Sequence, residues 1–212
     1  MGTVLDLHVH SKFSMDSPVE PEQYLERLDQ LRKNYRIDGL AFCEHRCFVP
    51  DFDFEALGKK YGAVVFAGVE AETRWGHILF FSPDADWMRK MDFSPKFDPL
   101  ELAAQFVDHS GIAIPAHPFR GLISLGEKAR RLPDLQAIEV INGANLPEEN
   151  LRARMLAQEL KVAETGGSDA HYLDELGRGL TEFSATINSL GQMISEIKAR
   201  RVCALSLADA KL

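Results

Sequence analysis

Seven histidines are spread over 212 residues, and six of them gather at one kind of place. His8 and His10 close the run Val4–His8 as Asp6-Leu7-His8-Val9-His10, and His45 follows Gly39–Cys43 in Glu44-His45. His117 ends Ile112–Ala116, and His171 follows Val162–Thr165 in Ser168-Asp169-Ala170-His171. His77 opens the return run Ile78–Phe81, while His109 alone lies within a helical pattern, at its C-terminal end. Carboxylates join them: Glu70 ends Ala63–Val69, Asp169 precedes His171 by two, and Asp16 stands six residues beyond His10. A lone strand-end histidine is more often structural than a ligand, and composition yields about 0.2 His-x-His pairs by chance. Six together point to a divalent metal site. Nitrogen and oxygen donors without thiolate suit Zn, Mn or Fe.

The elements that must position these groups alternate. Helical stripes are predicted over Pro21–Tyr35, with Ser17 as a cap upstream, over Phe54–Tyr61, over Leu100–His109 behind the cap Asp98, over Pro147–Leu160 and over Leu190–Arg200. Further strands are expected at Ala137–Ile141, Thr181–Thr186 and Val202–Leu207. Ile78–Phe81 follows Ala63–Val69 too closely for a helical crossover, so these two form a hairpin. Alternating strands and helices imply an α/β domain with a mainly parallel sheet. Without a glycine-rich dinucleotide turn, a barrel is favoured over a Rossmann arrangement. In a parallel barrel the strand C-termini share one rim, and the six histidines meet there.

The length suits one domain spanning 1–212. No apolar run approaches the roughly 18 residues of a membrane span, and the N-terminus shows no signal-peptide pattern. Three cysteines, Cys43, Cys47 and Cys203, are too few for a disulfide scaffold, so a cytoplasmic location is expected. The net charge is −8, with no basic cluster beyond Lys128, Arg130 and Arg131. Neither long nucleic acid nor an anionic membrane is therefore expected as a partner, whereas a small phosphorylated substrate is, because bound cations reverse the local sign. The oligomeric state is open.

The segments Asp6-Leu7-His8-Val9-His10-Ser11, Glu44-His45, Ala116-His117-Pro118 and Gly167-Ser168-Asp169-Ala170-His171 resemble, in order, the four motifs of the PHP (polymerase and histidinol phosphatase) family. Gly68-Val69-Glu70-Ala71-Glu72 and Gly76-His77-Ile78-Leu79 look like its intervening ligand segments. The resemblance implies a distorted (β/α)7 TIM-like barrel with three divalent ions. It implies that His8, His10, Glu70 and Asp169 hold the first ion. Glu70 bridges to a second ion on His77 and His117, and Asp16, His45 and His171 hold the third. Asp16 stands where some relatives have His. Asp6 and Glu44 look like partners that orient a ligating imidazole.

Such a centre suits hydrolysis of a small phosphate monoester by a metal-bridging hydroxide held near Glu70, Asp169 and His117, with Glu44 one candidate for the proton donor. Arg120 and Arg178 lie at loop distance from the motifs and are candidate phosphate forks, and Asn142 is a third substrate-binding candidate. The alternatives are a histidinol-phosphate phosphatase, a short-oligonucleotide phosphodiesterase and a non-catalytic metal-binding module. A metal-dependent amidohydrolase fits less well, because Glu70 stands where a bridging carboxylated lysine is needed.

Overall fold

A computed structural model describes residues 2–49, 51–94 and 96–212. The chain runs β1 (Val4–Val9), α1 (Pro21–Leu31), β2 (Gly39–His45), α2 (Phe54–Lys60), β3 (Val64–Thr73), β4 (Gly76–Phe81), α3 (Ala85–Met88) and α4 (Pro99–Asp108). It continues through β5 (Ile112–Pro115), β6 (Ala137–Asn142), α5 (Pro147–Leu160), β7 (Ala163–Gly167), β8 (Gly179–Phe183), α6 (Leu190–Lys198) and β9 (Val202–Ser206). Asp98 caps α4 through the backbone N–H groups of Leu100 and Glu101, with Pro99 at the first helical position, where its missing N–H costs nothing. Helix α1 is entered differently from the expectation. Gln23 accepts the N–H of Glu20 at its start, while the Ser17 hydroxyl donates to the carbonyl of His171.

Seven strands form one sheet in the order β5-β4-β3-β2-β1-β8-β9, and β6 and β7 form a separate parallel pair. β1, β2 and β3 are parallel, but β4 is antiparallel to both β3 and β5, and β8 is antiparallel to both β1 and β9. The sheet is thus mixed rather than mainly parallel: the tight turn between β3 and β4 reverses the chain, and β4–β5 and β8–β9 are antiparallel although helices connect them. The β6–β7 pair stands between β5 and β1. Past the end of β7, the N–H of Asp169 reaches the carbonyl of His8 at 2.7 Å and that of His10 reaches Ala170 at 2.9 Å. The result is a curled α/β sheet, not fully closed, in the manner of a distorted barrel.

Inward-facing side chains change parity along β1. Leu5 and Leu7 belong to an apolar cluster with Ala41, Cys43, Leu79, Phe81 and Ile114, whereas Val4 and Val9 pack with Tyr24, Leu25 and Leu28 of α1. Strict alternation would turn Val9 inward. Instead the register with β2 slips between Asp6 and Val9, and this bulge turns His8 and His10 inward. β6 repeats the device. Its register slips between Glu139 and Ile141, so that Glu139 and Asn142, three apart, share a face and a hydrogen bond.

Close strand approach seals the arrangement. A Cβ on Gly167 would lie 2.3 Å from the Cβ of His8 and 2.9 Å from its N. Gly167→Ala should therefore push β7 off β1, destabilising the protein by about 1–3 kcal/mol and weakening divalent-ion uptake together. Gly191→Ala, on α6 with nothing within 4 Å, should stabilise it by up to about 1 kcal/mol. Denaturation midpoints and metal titration check both.

Candidate metal centre

Glu70, buried on β3 next to His45 of β2, is the hub. Its Oε2 lies 3.3 Å from His8 Nε2, 3.2 Å from His10 Nε2 and 3.2 Å from His45 Nδ1. Its Oε1 lies 3.0 Å from His77 Nδ1 and 2.9 Å from His117 Nε2. Asp169 Oδ1 closes the same space, 3.5 Å from His8 Nε2 and 3.2 Å from His10 Nε2. Further out, Asp16 Oδ2 lies 3.4 Å from His45 Nε2 and 3.3 Å from His171 Nε2. All nine residues singled out as ligands thus meet in one continuous cluster.

The residues fit divalent ions on a specific observation. His8 Nε2, His10 Nε2, His45 Nδ1 and Glu70 Oε2 are buried and make no hydrogen bond, although each lies close to the others. Buried polar atoms left unpaired cost about 1–3 kcal/mol each. Four such atoms facing a common space are a set that divalent cations could satisfy. Among the described residues, three groups have ligand atoms within 4.8 Å of one another: His8, His10, Glu70 and Asp169; His45, Glu70 and His77; and His10, His45 and His171. The first is the set the resemblance implies. In the others His45 stands beside Glu70 and His77, and His10 joins His45 and His171, so neighbouring sites share walls.

The remaining ring nitrogens are held from behind. His8 Nδ1 meets Glu139 Oε1 at 2.9 Å, and the other Glu139 oxygen accepts the His117 N–H at 2.7 Å and the Asn142 amide at 2.9 Å. Sequence reasoning missed Glu139; the signal was an acid inside the apolar run Ala137–Ile141. His10 Nδ1 meets Ser14 Oγ at 3.1 Å, and that hydroxyl donates to Glu44 at 2.6 Å. Glu44 thus acts on an imidazole only through Ser14. Asp6 touches no imidazole: it accepts the backbone N–H groups of His8, Ser168 and Gly177, tying β1 to the segment after β7.

The electrostatics follow from burial and crowding. Burial opposes charge on His10, but the carboxylates of Asp169 and Glu70 beside it raise its pKa to about 9. Burial opposes charge on His8 too, and Asp169, Glu139 and Glu70 together outweigh it. Despite their own burial, Glu70 and Asp169 are held well below the usual carboxylate range by these imidazoles. His45 moves the other way, to about 4, because burial, with His10 and His77 beside it, outweighs Glu70 and Asp16. Among the described residues, four of the eight non-glycine positions with positive φ, Met15, Arg46, His117 and Asp169, stand at this mouth. Strain of that kind persists where surrounding contacts over-determine the backbone.

A cavity of about 910 Å³ opens over the cluster, with Arg46, Lys96 and Arg120 in its lining. Arg120 is fixed: its Nε donates to Asn145 at 2.8 Å and its Nη2 to Asn142 at 2.5 Å and Asp169 at 2.6 Å. Asn142 is buried and spent on Arg120, Glu139 and the backbone of Ala144, so it does not face the cavity. Arg178 lies outside the lining, beside Asp174 and Glu175. Cys47 lines the cavity, but burial pushes its thiol up to about 11, which makes it a poor nucleophile. His109 ends α4, stacks on Trp87 and meets Asp84 at 2.8 Å, apart from the cluster.

The arrangement is a PHP-like, metallophosphoesterase-like fold with candidate metal-binding clusters. Residues 147–202 match a family model, PHP_C, described as PHP-associated. No curated protein matches the sequence. The fold is similar to that of PsfC from Pseudomonas syringae PB-5123, with a TM-score of 0.72 and 21% identity over 99% of this chain and 93% of that one. It is similar to a candidate metal-dependent phosphoesterase from Bifidobacterium adolescentis ATCC 15703, with a TM-score of 0.60 and 17% identity over 79% and 87%. It is also similar to Endonuclease Q in complex with a 27-mer duplex substrate carrying an abasic lesion at the active site. There the TM-score is 0.66 and the identity 18%, over 94% of this chain and 57% of that one.

That complex overturns one expectation. A net charge of −8 led to a small phosphorylated partner and away from long nucleic acid, yet a protein of similar fold holds a DNA duplex. Net charge sums the whole chain and does not resolve the mouth, where Arg46, Lys96 and Arg120 stand beside Asp16 and Glu72. No helix among the described residues is long and apolar enough to cross a membrane.

With its pKa near 9, His10 carries a proton at pH 7 that a divalent ion must displace. Uptake of Mn or Zn should release at least one proton per chain at pH 7 and tighten as pH rises toward 9, by calorimetry in buffers of different ionisation enthalpy. Glu139→Gln should weaken that uptake by about 10–100-fold, through loss of the carboxylate behind His8.

Proposed function

We propose that this chain is a metal-dependent hydrolase that cleaves phosphodiester bonds in nucleic acid. The observation that carries the reading is the set of four buried, unpaired ligand atoms on His8, His10, His45 and Glu70, beneath a cavity that Arg46, Lys96 and Arg120 line. The likeness to Endonuclease Q favours a diester over the monoester expected from the motifs.

Divalent ions held by His8, His10, Asp16, His45, Glu70, His77, His117, Asp169 and His171 would supply Lewis acidity at the phosphoryl oxygens and a water ionised near neutral pH. Zn, Mn and Fe all suit that donor set. The chain's own residues do the rest. Glu70 and Asp169 keep the imidazoles aligned, and Glu139 and the Ser14–Glu44 pair fix the rings of His8 and His10 from behind. Arg120, held on one edge by Asn142, Asn145 and Asp169, keeps Nη1 for a phosphate oxygen. No side-chain nucleophile is required.

The test is turnover of a labelled oligonucleotide and of bis(4-nitrophenyl) phosphate with Mn added. Both should be cleaved, and His117→Ala or Asp169→Ala should lower the rate by on the order of a thousandfold. Faster cleavage of 4-nitrophenyl phosphate, the corresponding monoester, than of the diester would overturn the reading.

A further inference from the structure

Beside the main cavity lies a cleft of about 330 Å³ that shares Glu72, His77, Lys96 and Ile123 with it, so the two make one trough. The trough starts at His77, in the ligand cluster, and runs out to Arg74 and Leu122. Its cations differ in availability. Arg46 is held by Glu72 and Arg74 by Asp98, whereas Lys96 forms no ion pair among the described residues.

Leu122 stands fully exposed on the turn Gly121–Ile123, with Ile123 half exposed next to it. Scattered exposed leucines are ordinary. This one is set on a turn tied down at its Ser124 end. Ser124 Oγ lies 2.7 Å from the carbonyl of His117 and 2.6 Å from that of Arg120. The following backbone packs so closely on Gly76 that a Cβ there would meet Ser124 C at 2.6 Å. An apolar tip is thereby tethered through Ser124 to His117 on one side and to Gly76, the neighbour of His77, on the other. Apolar tips of this kind part base steps in nucleic acids, and a nearby cation takes the phosphate.

We propose that this trough seats the strand next to the cleavage site, with Lys96 on a neighbouring phosphate and Leu122 pressed against an unstacked base. The assignment rests on the nucleic-acid reading above and deepens it. It makes the substrate a strand whose bases are already accessible, single-stranded or locally unstacked, because parting a fully stacked step costs a few kcal/mol.

The experiment uses Lys96→Glu and Leu122→Ala, both at exposed positions that the fold does not need. A fluorescein-labelled single-stranded oligonucleotide is titrated by anisotropy at several salt concentrations, and its cleavage is compared with that of bis(4-nitrophenyl) phosphate. Lys96→Glu should weaken binding about tenfold at low salt and reduce the slope of log Kd against log salt by about 0.7, the value for one single-strand phosphate. Leu122→Ala should lower the ratio of kcat/KM for oligonucleotide to that for the small diester about tenfold. Wild-type slopes and ratios in both variants would overturn the trough while leaving the hydrolase reading standing. A wild-type protein that binds the oligonucleotide without cleaving it would sink the hydrolase reading, and the salt slope would still decide the trough. Failure of the wild type to bind at any salt would sink both.

Discussion

One buried carboxylate, Glu70, touches five imidazoles, and the rest of the molecule is arranged around that crowding. Taking a carboxylate out of water costs several kcal/mol even after relaxation, so it must be neutralised where it stands. Two oxygens offer about four lone-pair directions, fewer than the five rings beside them. Imidazolium on every ring would also set like charges 4–6 Å apart, as the ring spacings of His10 to His45 and of His8 to His117 show. The opposed shifts of His10 and His45 are the protein's compromise in protons alone. Divalent cations would resolve the same conflict without it, since neutral imidazoles and ionised carboxylates would then all be wanted together.

Bringing those rings to one place requires inward-facing side chains to stop alternating. In β1 and in β6 a single extra residue turns a polar pair inward above an apolar floor, and both bulges lie toward the strand ends that carry the cluster. Below them the inward positions are Leu5, Leu7 and Ala137; above them are His8, His10 and Asn142, with Glu139 at the boundary. The bulge is thus the boundary between core and site. It also explains why Gly166 and Gly167 stand in β7: a side chain on either would strike β8 or β1, and the shared face would open.

This division explains what was legible beforehand. Strand runs, helices and the histidines at strand exits are local patterns, and they lie close to where periodicity put them. Glu139 was hidden because it sits inside an apolar strand, with its partner His8 131 residues away. Asn142 read as a mouth residue from its position after Ile141, yet its amide is consumed by neighbours that only folding brings up. Arg178 and Arg120 are equivalent in sequence terms, each a few residues past a motif. Their difference lies in the acids they meet: Asp169 at the centre for one, Asp174 and Glu175 outside it for the other. The hairpin between β3 and β4 was visible from its short connection, but the reversed direction of β4 within the sheet is its consequence and was not drawn from it.

Net charge misled for a related reason. Of the 32 acids, Asp6, Glu44, Glu70, Glu139 and Asp169 are at most 5% exposed, and all five either belong to the ligand cluster or brace it. Setting them aside leaves 27 acids against 24 bases, a difference of −3 for the surface that an approaching polyanion meets. That remainder is spread over the whole exterior and is screened beyond about 8–10 Å at ordinary ionic strength. At the mouth the balance is local, set by Arg46, Lys96 and Arg120 and by whatever cations the buried acids hold. Five of the eight excess acids are therefore matched by the buried cluster and its supports. An acidic composition says little about whether a phosphate backbone can approach.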